Sequence, residues 1–134
     1  AFPAGDTDVI QEMLRDYLWD SISVRDTAVR RNMKENFYHG MLLGLLRSQG
    51  SWLVKSNAET GEGYSDISIQ TPDRVGMVIE LKYADDGNLE AACREALRQI
   101  EEKKYAEGLK RRGAKKIIKY GIAFCEKECM VVMA

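Results

Sequence analysis

The sequence predicts an α/β fold of the mixed α+β kind, a mixed sheet flanked by helices, and three observations lead there. Apolar residues recur at helical spacing in two N-terminal stretches and in one later stretch. Short apolar, strand-like runs lie between and after them, punctuated by Gly, Pro, Asn and Asp. The resulting order is helix, helix, three strands, helix, two strands. Three antiparallel strands followed by a helical crossover into further strands give a mixed sheet with helices against it.

The first helix is capped around Asp6-Thr7-Asp8 and carries Val9, Ile10, Met13, Leu14, Tyr17 and Leu18 on one apolar face. Ser21-Ile22-Ser23-Val24-Arg25 is a short break, and Asp26 caps a second helix running to about Arg47. Val29, Met33, Phe37, Met41, Leu42, Leu45 and Leu46 form its apolar stripe, and Ser48-Gln49-Gly50 stops it. Strands are expected at Trp52–Ser56, Tyr64–Gln70 and Gly76–Tyr83, with Gly61 and Gly63 in the first turn and Pro72-Asp73 in the second. Asp85-Asp86-Gly87-Asn88 leads into a helix from about Leu89 to Arg111, with Leu89, Ala92, Cys93, Ala96, Leu97 and Ile100 as its apolar stripe. Gly113 ends this helix, and strands at Lys116–Phe124 and Glu128–Met133 close the chain.

The 134 residues suffice for one domain with its own core. Residues 1–25 read as a helical extension and residues 26–134 as the core. No apolar run approaches the roughly 20 residues of a membrane span. Of the three cysteines none forms a CxxC pair, and with His39 as the sole histidine a zinc site would be short of ligands. Reduced packing cysteines suit a cytoplasmic protein. The formal net charge of −1 hides an uneven distribution: residues 94–119 hold ten Lys or Arg and four Glu. Such a stretch can bind phosphates through Lys103, Lys104, Lys110, Arg111 and Arg112, or be a solvated helix face with i,i+4 pairs such as Glu90–Arg94.

One spacing carries chemistry. Asp66 is followed, after a gap of thirteen residues, by Glu80-Leu81-Lys82, each half inside a strand-like run. Alternate strand residues share a face, so Glu80 and Lys82 project together. Charges inside apolar strands are usually paired or metal-bound. Asp66, Glu80 and the Leu81 carbonyl offer the oxygen ligands that Mg²⁺ prefers, and Lys82 would orient an attacking water and offset developing charge. Glu35, from the second helix, could bind a second metal, and Gln99, from the later helix, could touch the site or substrate. Read alone, Glu-x-Lys on a strand is common and usually an exposed ion pair. His39 reads as a structural histidine, Tyr105 as a helix-packing residue or a nucleic-acid stacker, and Trp19 and Trp52 as packing residues.

The ordered set is recognisable. Ser21–Asp26, Glu35–Gly40 with Leu43–Leu46, Ser56–Gly63, Ser65-Asp66, Ile79–Lys82, Ala96–Ile100 through Tyr105, and Lys119–Phe124 together resemble the PD-(D/E)XK nuclease superfamily. More narrowly they resemble bacterial nuclease-like domains found C-terminal to AAA-type ATPase-like domains. Ser65 stands where the superfamily's name has Pro, and Tyr64 where members of the narrower family often carry Arg. The resemblance implies a restriction-endonuclease-like α-β-β-β-α-β core with an extra N-terminal helix. It implies Asp66, Glu80 and Lys82 as catalytic residues, with Glu35 and Gln99 as auxiliary positions. Two functions follow from it. One is a Mg²⁺-dependent nuclease (Mn²⁺ substituting) acting on DNA, with Lys103, Lys104, Tyr105 and Arg111 on the substrate. The other is an inactive nucleic-acid-binding or regulatory module. In either case an ATPase-like domain of the same polypeptide is the expected partner, since this chain holds no GxxxxGK[ST] loop.

Overall fold

The computed structural model describes residues 3, 5–21, 31–48, 50–58, 65–84, 86–103, 105–126 and 128–134. The side chains of residues 20, 21, 31–37, 57, 58, 65, 66, 103, 105 and 106 lie outside this description. Two helices, α1 (Thr7–Ser21) and α2 (Arg31–Arg47), precede strands β1 (Leu53–Ala58), β2 (Ser65–Gln70) and β3 (Val75–Tyr83). Helical segments α3 (Leu89–Lys103) and α4 (Tyr105–Arg111) lead to β4 (Lys116–Cys125) and β5 (Glu128–Met133). The helix cap expected at Asp26 lies outside the described residues.

The five strands form one sheet in the order β1-β2-β3-β4-β5. β1, β2 and β3 are antiparallel, β3 and β4 run parallel through the α3–α4 crossover, and β5 returns antiparallel to β4. This is the mixed α+β architecture of a restriction-endonuclease-like fold, in the expected element order. A parallel pair needs a crossover with a helix on the sheet, and that requirement puts α3 over the centre.

Each face of the sheet has its own core. Met77, Ile79, Leu81 and Tyr83 of β3 pack with Ile10, Leu14 and Leu18 of α1 and Tyr38, Leu42 and Leu46 of α2. Val78 packs on the other side with Ile100 and Leu109. β3 is therefore buried on both faces, and all its residues after Val75 are buried. Burial of both faces explains why this strand reads as nearly continuous apolar sequence rather than as an alternation.

Local chemistry fixes the ends of α3 and α4. Asn88 caps α3, its Oδ1 accepting from Ala91 N at 3.1 Å, and Asp86 Oδ1 accepts from Asn88 N at 3.0 Å. After α4, Gly113 takes φ +93° while its N–H donates to Lys110 O and Ala114 N donates to Leu109 O, a left-handed helix stop.

The first helix departs from its expected packing. Ile10, Leu14 and Leu18 are buried, whereas Val9, Met13 and Tyr17 are 48%, 50% and 37% exposed. Two adjacent i,i+4 rows were expected on one buried face, but α1 lies along the outer edge strand, where one row reaches the core. Gln11 Oε1 accepts from Val131 N at 3.0 Å, and Arg15 meets Glu128 at 3.3 Å, so α1 covers the edge of β5. Trp19 is also exposed, at 55%, while Trp52 packs against the core. Among the described residues, no helix is long and apolar enough to cross a membrane.

Candidate functional site

Glu80 and Lys82 share strand parity with Val78 and therefore face α3, on the side of the sheet away from α1 and α2. Both are buried, Glu80 at 1% exposure and Lys82 at 8%. Ionised groups this deep need compensating partners, so the pair is a constructed feature and not the exposed ion pair that Glu-x-Lys alone allows. The last β2–β3 register pair is Ile67–Ile79, which places Asp66 one step further, at the position opposite Glu80. On its other side Asp66 pairs with Asn57 of β1. The Asp66 side chain lies outside the described residues.

On the β4 side, Glu80 pairs with Gly121 and Lys82 with Ala123. The small residues let α3 come close. A Cβ at Gly121 would stand 2.6 Å from Cys93 O and 3.2 Å from Leu97 Cγ. The same face of α3 buries Cys93, Ala96 and Ile100. The Cys93 thiol donates to Met130 O at 3.3 Å, and burial pushes its pKa up to about 11, so it packs as a neutral thiol.

One flank of α3 borders the motif. Lys82, Ala84, Asp86, Asn88, Ala92 and Glu95 line a cleft of about 340 Å³ beside it. Glu95 is held below the usual carboxylate range by its hydrogen bond from Arg98, with the Lys82 charge adding to the effect. Gln99, one turn further along, donates from Nε2 to Glu95 Oε1 at 3.5 Å. Gln99 thus reaches the site's border through Glu95, a residue that the sequence reading passed over. Its signal was present: Glu95 and Gln99 are i,i+4 partners on the helix already assigned to the site.

The remaining candidates are distributed differently. Glu35 lies on α2, which packs on the opposite face through Tyr38, Leu42 and Leu46, and its side chain is outside the described residues. The side chains of Lys103 and Tyr105 are likewise outside the description, as is Lys104 altogether. Arg111 is exposed at the end of α4, near the start of β4. Arg94 pairs with Glu90 and Arg98 with Glu95 and Glu102, so that part of the basic stretch is a solvated, ion-paired helix face. His39 is structural, as expected: its Nε2 is 3.3 Å from Ser56 Oγ, joining α2 to β1, and burial lowers its pKa. Tyr38, not singled out as a core residue from sequence, stacks on Phe124 at 4.4 Å and on Tyr83 at 6.0 Å. Its hydroxyl donates to Glu126 O at 2.6 Å.

The family model of the PD-(D/E)XK nuclease superfamily matches residues 33–134, most of the chain. The chain belongs to the PD-(D/E)XK nuclease superfamily. No curated protein matches the sequence. The region matched by the superfamily model begins within α2 and spans the whole sheet, so it contains Asp66, Glu80, Lys82 and Gln99 together.

PD-(D/E)XK nucleases typically use divalent metals. The donor chemistry here fits such an ion. Glu80 is a buried carboxylate, Asp66 occupies the opposite register position, and the Leu81 carbonyl lies between Glu80 and Lys82. These are hard oxygen donors suited to Mg²⁺, and the nearby Cys93 thiol is committed to Met130 O. Among the described residues no three His, Cys, Asp or Glu side chains converge on one point; those of Asp66 and Glu35 lie outside that set.

Proposed function

We propose that this chain is a Mg²⁺-dependent nuclease that hydrolyses phosphodiester bonds in DNA, with Mn²⁺ able to substitute. The observation that carries the reading is the burial of Glu80 and Lys82 side by side on the α3 face of the central strand, level with Asp66 on the neighbouring strand. Asp66, Glu80 and the Leu81 carbonyl would hold the ion. Bound there, the ion would offset phosphate charge and lower the pKa of the attacking water. Lys82 contributes a fixed ammonium at the same face, able to orient the water and to stabilise negative charge as it develops on the phosphate. Low exposure strengthens that interaction by keeping competing solvent away. Glu95 and Gln99 hold the α3 side of the Lys82 cleft, and Glu95 supplies a balancing negative charge.

Lys103, Lys104 and Tyr105 would contact the substrate backbone along the α3–α4 side, and Arg111 would do so further along, toward the start of β4. An ATPase-like domain of the same polypeptide, in the cytoplasm, is the partner this reading expects. The exposed Val9, Met13 and Tyr17 row on α1 is a suitable surface for it. The test is cleavage of plasmid and linear DNA with Mg²⁺. Asp66→Ala and Lys82→Ala should each lower the rate by about a hundredfold or more while the circular-dichroism spectrum is retained. Cleavage that survives both substitutions overturns the assignment. Wild-type binding without turnover transfers it to a nucleic-acid-binding module.

A further inference from the structure

At the end of the sheet where β3 and β4 begin, away from Lys82, the fold gathers a second set of cations. Arg74, Lys110, Arg111, Arg112, Lys115 and Lys116 are all exposed there. Two clefts open side by side and share Ala114. One, of about 130 Å³, is lined by Thr71, Arg74, Arg112 and Gly113. The other, of about 580 Å³, is lined by Glu101, Glu107, Lys110, Lys115 and Lys119. Among the described residues, the side-chain carboxylates of Asp73, Glu101 and Glu107 lie in this region. Asp73 accepts a hydrogen bond from the Thr71 hydroxyl, Glu101 pairs with Lys119, and Glu107 borders the larger cleft. Between Lys110 and Lys119 the sequence has six cations and no carboxylate.

The end is also built rigidly. Lys115 N donates to Arg74 O at 2.9 Å, locking the β2–β3 turn to the α4–β4 turn. Val75 N donates to Thr71 Oγ1 at 3.0 Å within the first turn. Arg74 holds φ +66°, a left-handed conformation that Gly or Asn adopts more easily. A long cation is therefore kept where the backbone favours a smaller residue, and a strained exposed position of this kind points to a role for its side chain.

We propose that the end of the sheet carrying Arg74, Arg112, Lys115 and Lys116 is a second duplex-binding surface that grips the DNA phosphate backbone away from the cleavage centre. From Val75, the start of β3, to Lys82 is seven strand residues, about 23 Å at 3.3 Å per residue. The two sites would then contact one duplex about seven base-pair rises apart. The identity of the polyanion rests on the nuclease reading above; the surface itself does not.

The test compares the full chain with the R74Q/R112Q/K115Q/K116Q variant, binding a fluorescent duplex in EDTA across a salt series. At about 0.1 M salt the variant should bind about a hundredfold more weakly or worse, and its log K against log salt slope should fall by about 2 to 4, each lost phosphate contact accounting for about 0.9. In cleavage assays KM should rise while kcat holds. Arg74→Gly separates binding from folding: its melting temperature should match or exceed that of the wild type while duplex affinity falls. Unchanged affinity and slope in the folded variant overturn the proposal, as does a polyglutamate peptide that competes better than duplex. Wild-type duplex binding with a steep slope and no cleavage leaves this surface standing and removes the nuclease assignment instead.

Discussion

His39 joins α2 to β1 through a hydrogen bond with Ser56, and its ionisation tests how well the ring is buried there. Burial lowers its pKa from 6.5, so the folded state binds a proton less readily than the unfolded chain. The sign follows directly. The stabilisation is complete above pH 6.5 and is lost as pH falls from there through the lowered folded value. The sequence contains one histidine, which makes the window clean of other side chains with ordinary pKa values in it. Urea midpoints should be flat down to about pH 7 and then decline, and His39→Gln should remove that decline. An identical pH profile in the variant would show that burial does not separate the folded and unfolded titration of His39. Tyr38, its neighbour, behaves differently: burial drives its phenol pKa well above the ordinary value, so it remains a neutral donor to Glu126 O throughout the working range.

At the scale of elements, the decisive contact is α3 on β4. Gly121 is the point of closest approach, and a methyl there meets the Cys93 carbonyl, which belongs to the helix backbone and cannot rotate aside. Gly121→Ala should therefore destabilise the domain by about 1–3 kcal/mol, read as a lower urea midpoint at unchanged m-value. Because Gly121 pairs with Glu80, the same substitution would move α3 relative to the motif and lower cleavage as well. The helical stripe of α3 was legible in sequence because Cys93, Ala96 and Ile100 follow the period and are all buried. The matching stripe of α1 was only half legible. Periodicity shows which residues can share a face but not how wide a face the neighbour covers, and β5 covers only the Ile10–Leu14–Leu18 row. Glu95 was missed for a related reason: its i,i+4 relation to Gln99 marks a shared helix face, and only the fold sets that face beside Lys82.

For the whole molecule, the succession of helices and strands along the chain was legible because the signals were local. The Pro72 turn and the apolar runs on either side of it are examples, while the turn expected at Gly61 and Gly63 lies outside the described residues. The division of labour between the two ends of the sheet was not. It depends on the parallel β3–β4 register, which brings Val75 beside Lys116 and Lys82 beside Ala123, and no local pattern encodes that pairing. The sheet's two edges also differ. β5 has α1 hydrogen-bonded along its outer side through Gln11, whereas among the described residues β1 has only β2 as a strand neighbour and carries Leu53 at 63% exposure. Amide hydrogen exchange should consequently be asymmetric across the molecule. Met77–Leu81 and Ile118–Ala123 should exchange only with global unfolding, Val131 nearly as slowly, and β1 amides through smaller openings at much lower free energy. Equal protection in β1 and β3 would mean that the sheet opens as one unit. Otherwise the Gln11 clasp on β5 makes the C-terminal half of the sheet the slow-exchanging block, and Asp66, between β1 and β3, sits where that block meets the part that opens first.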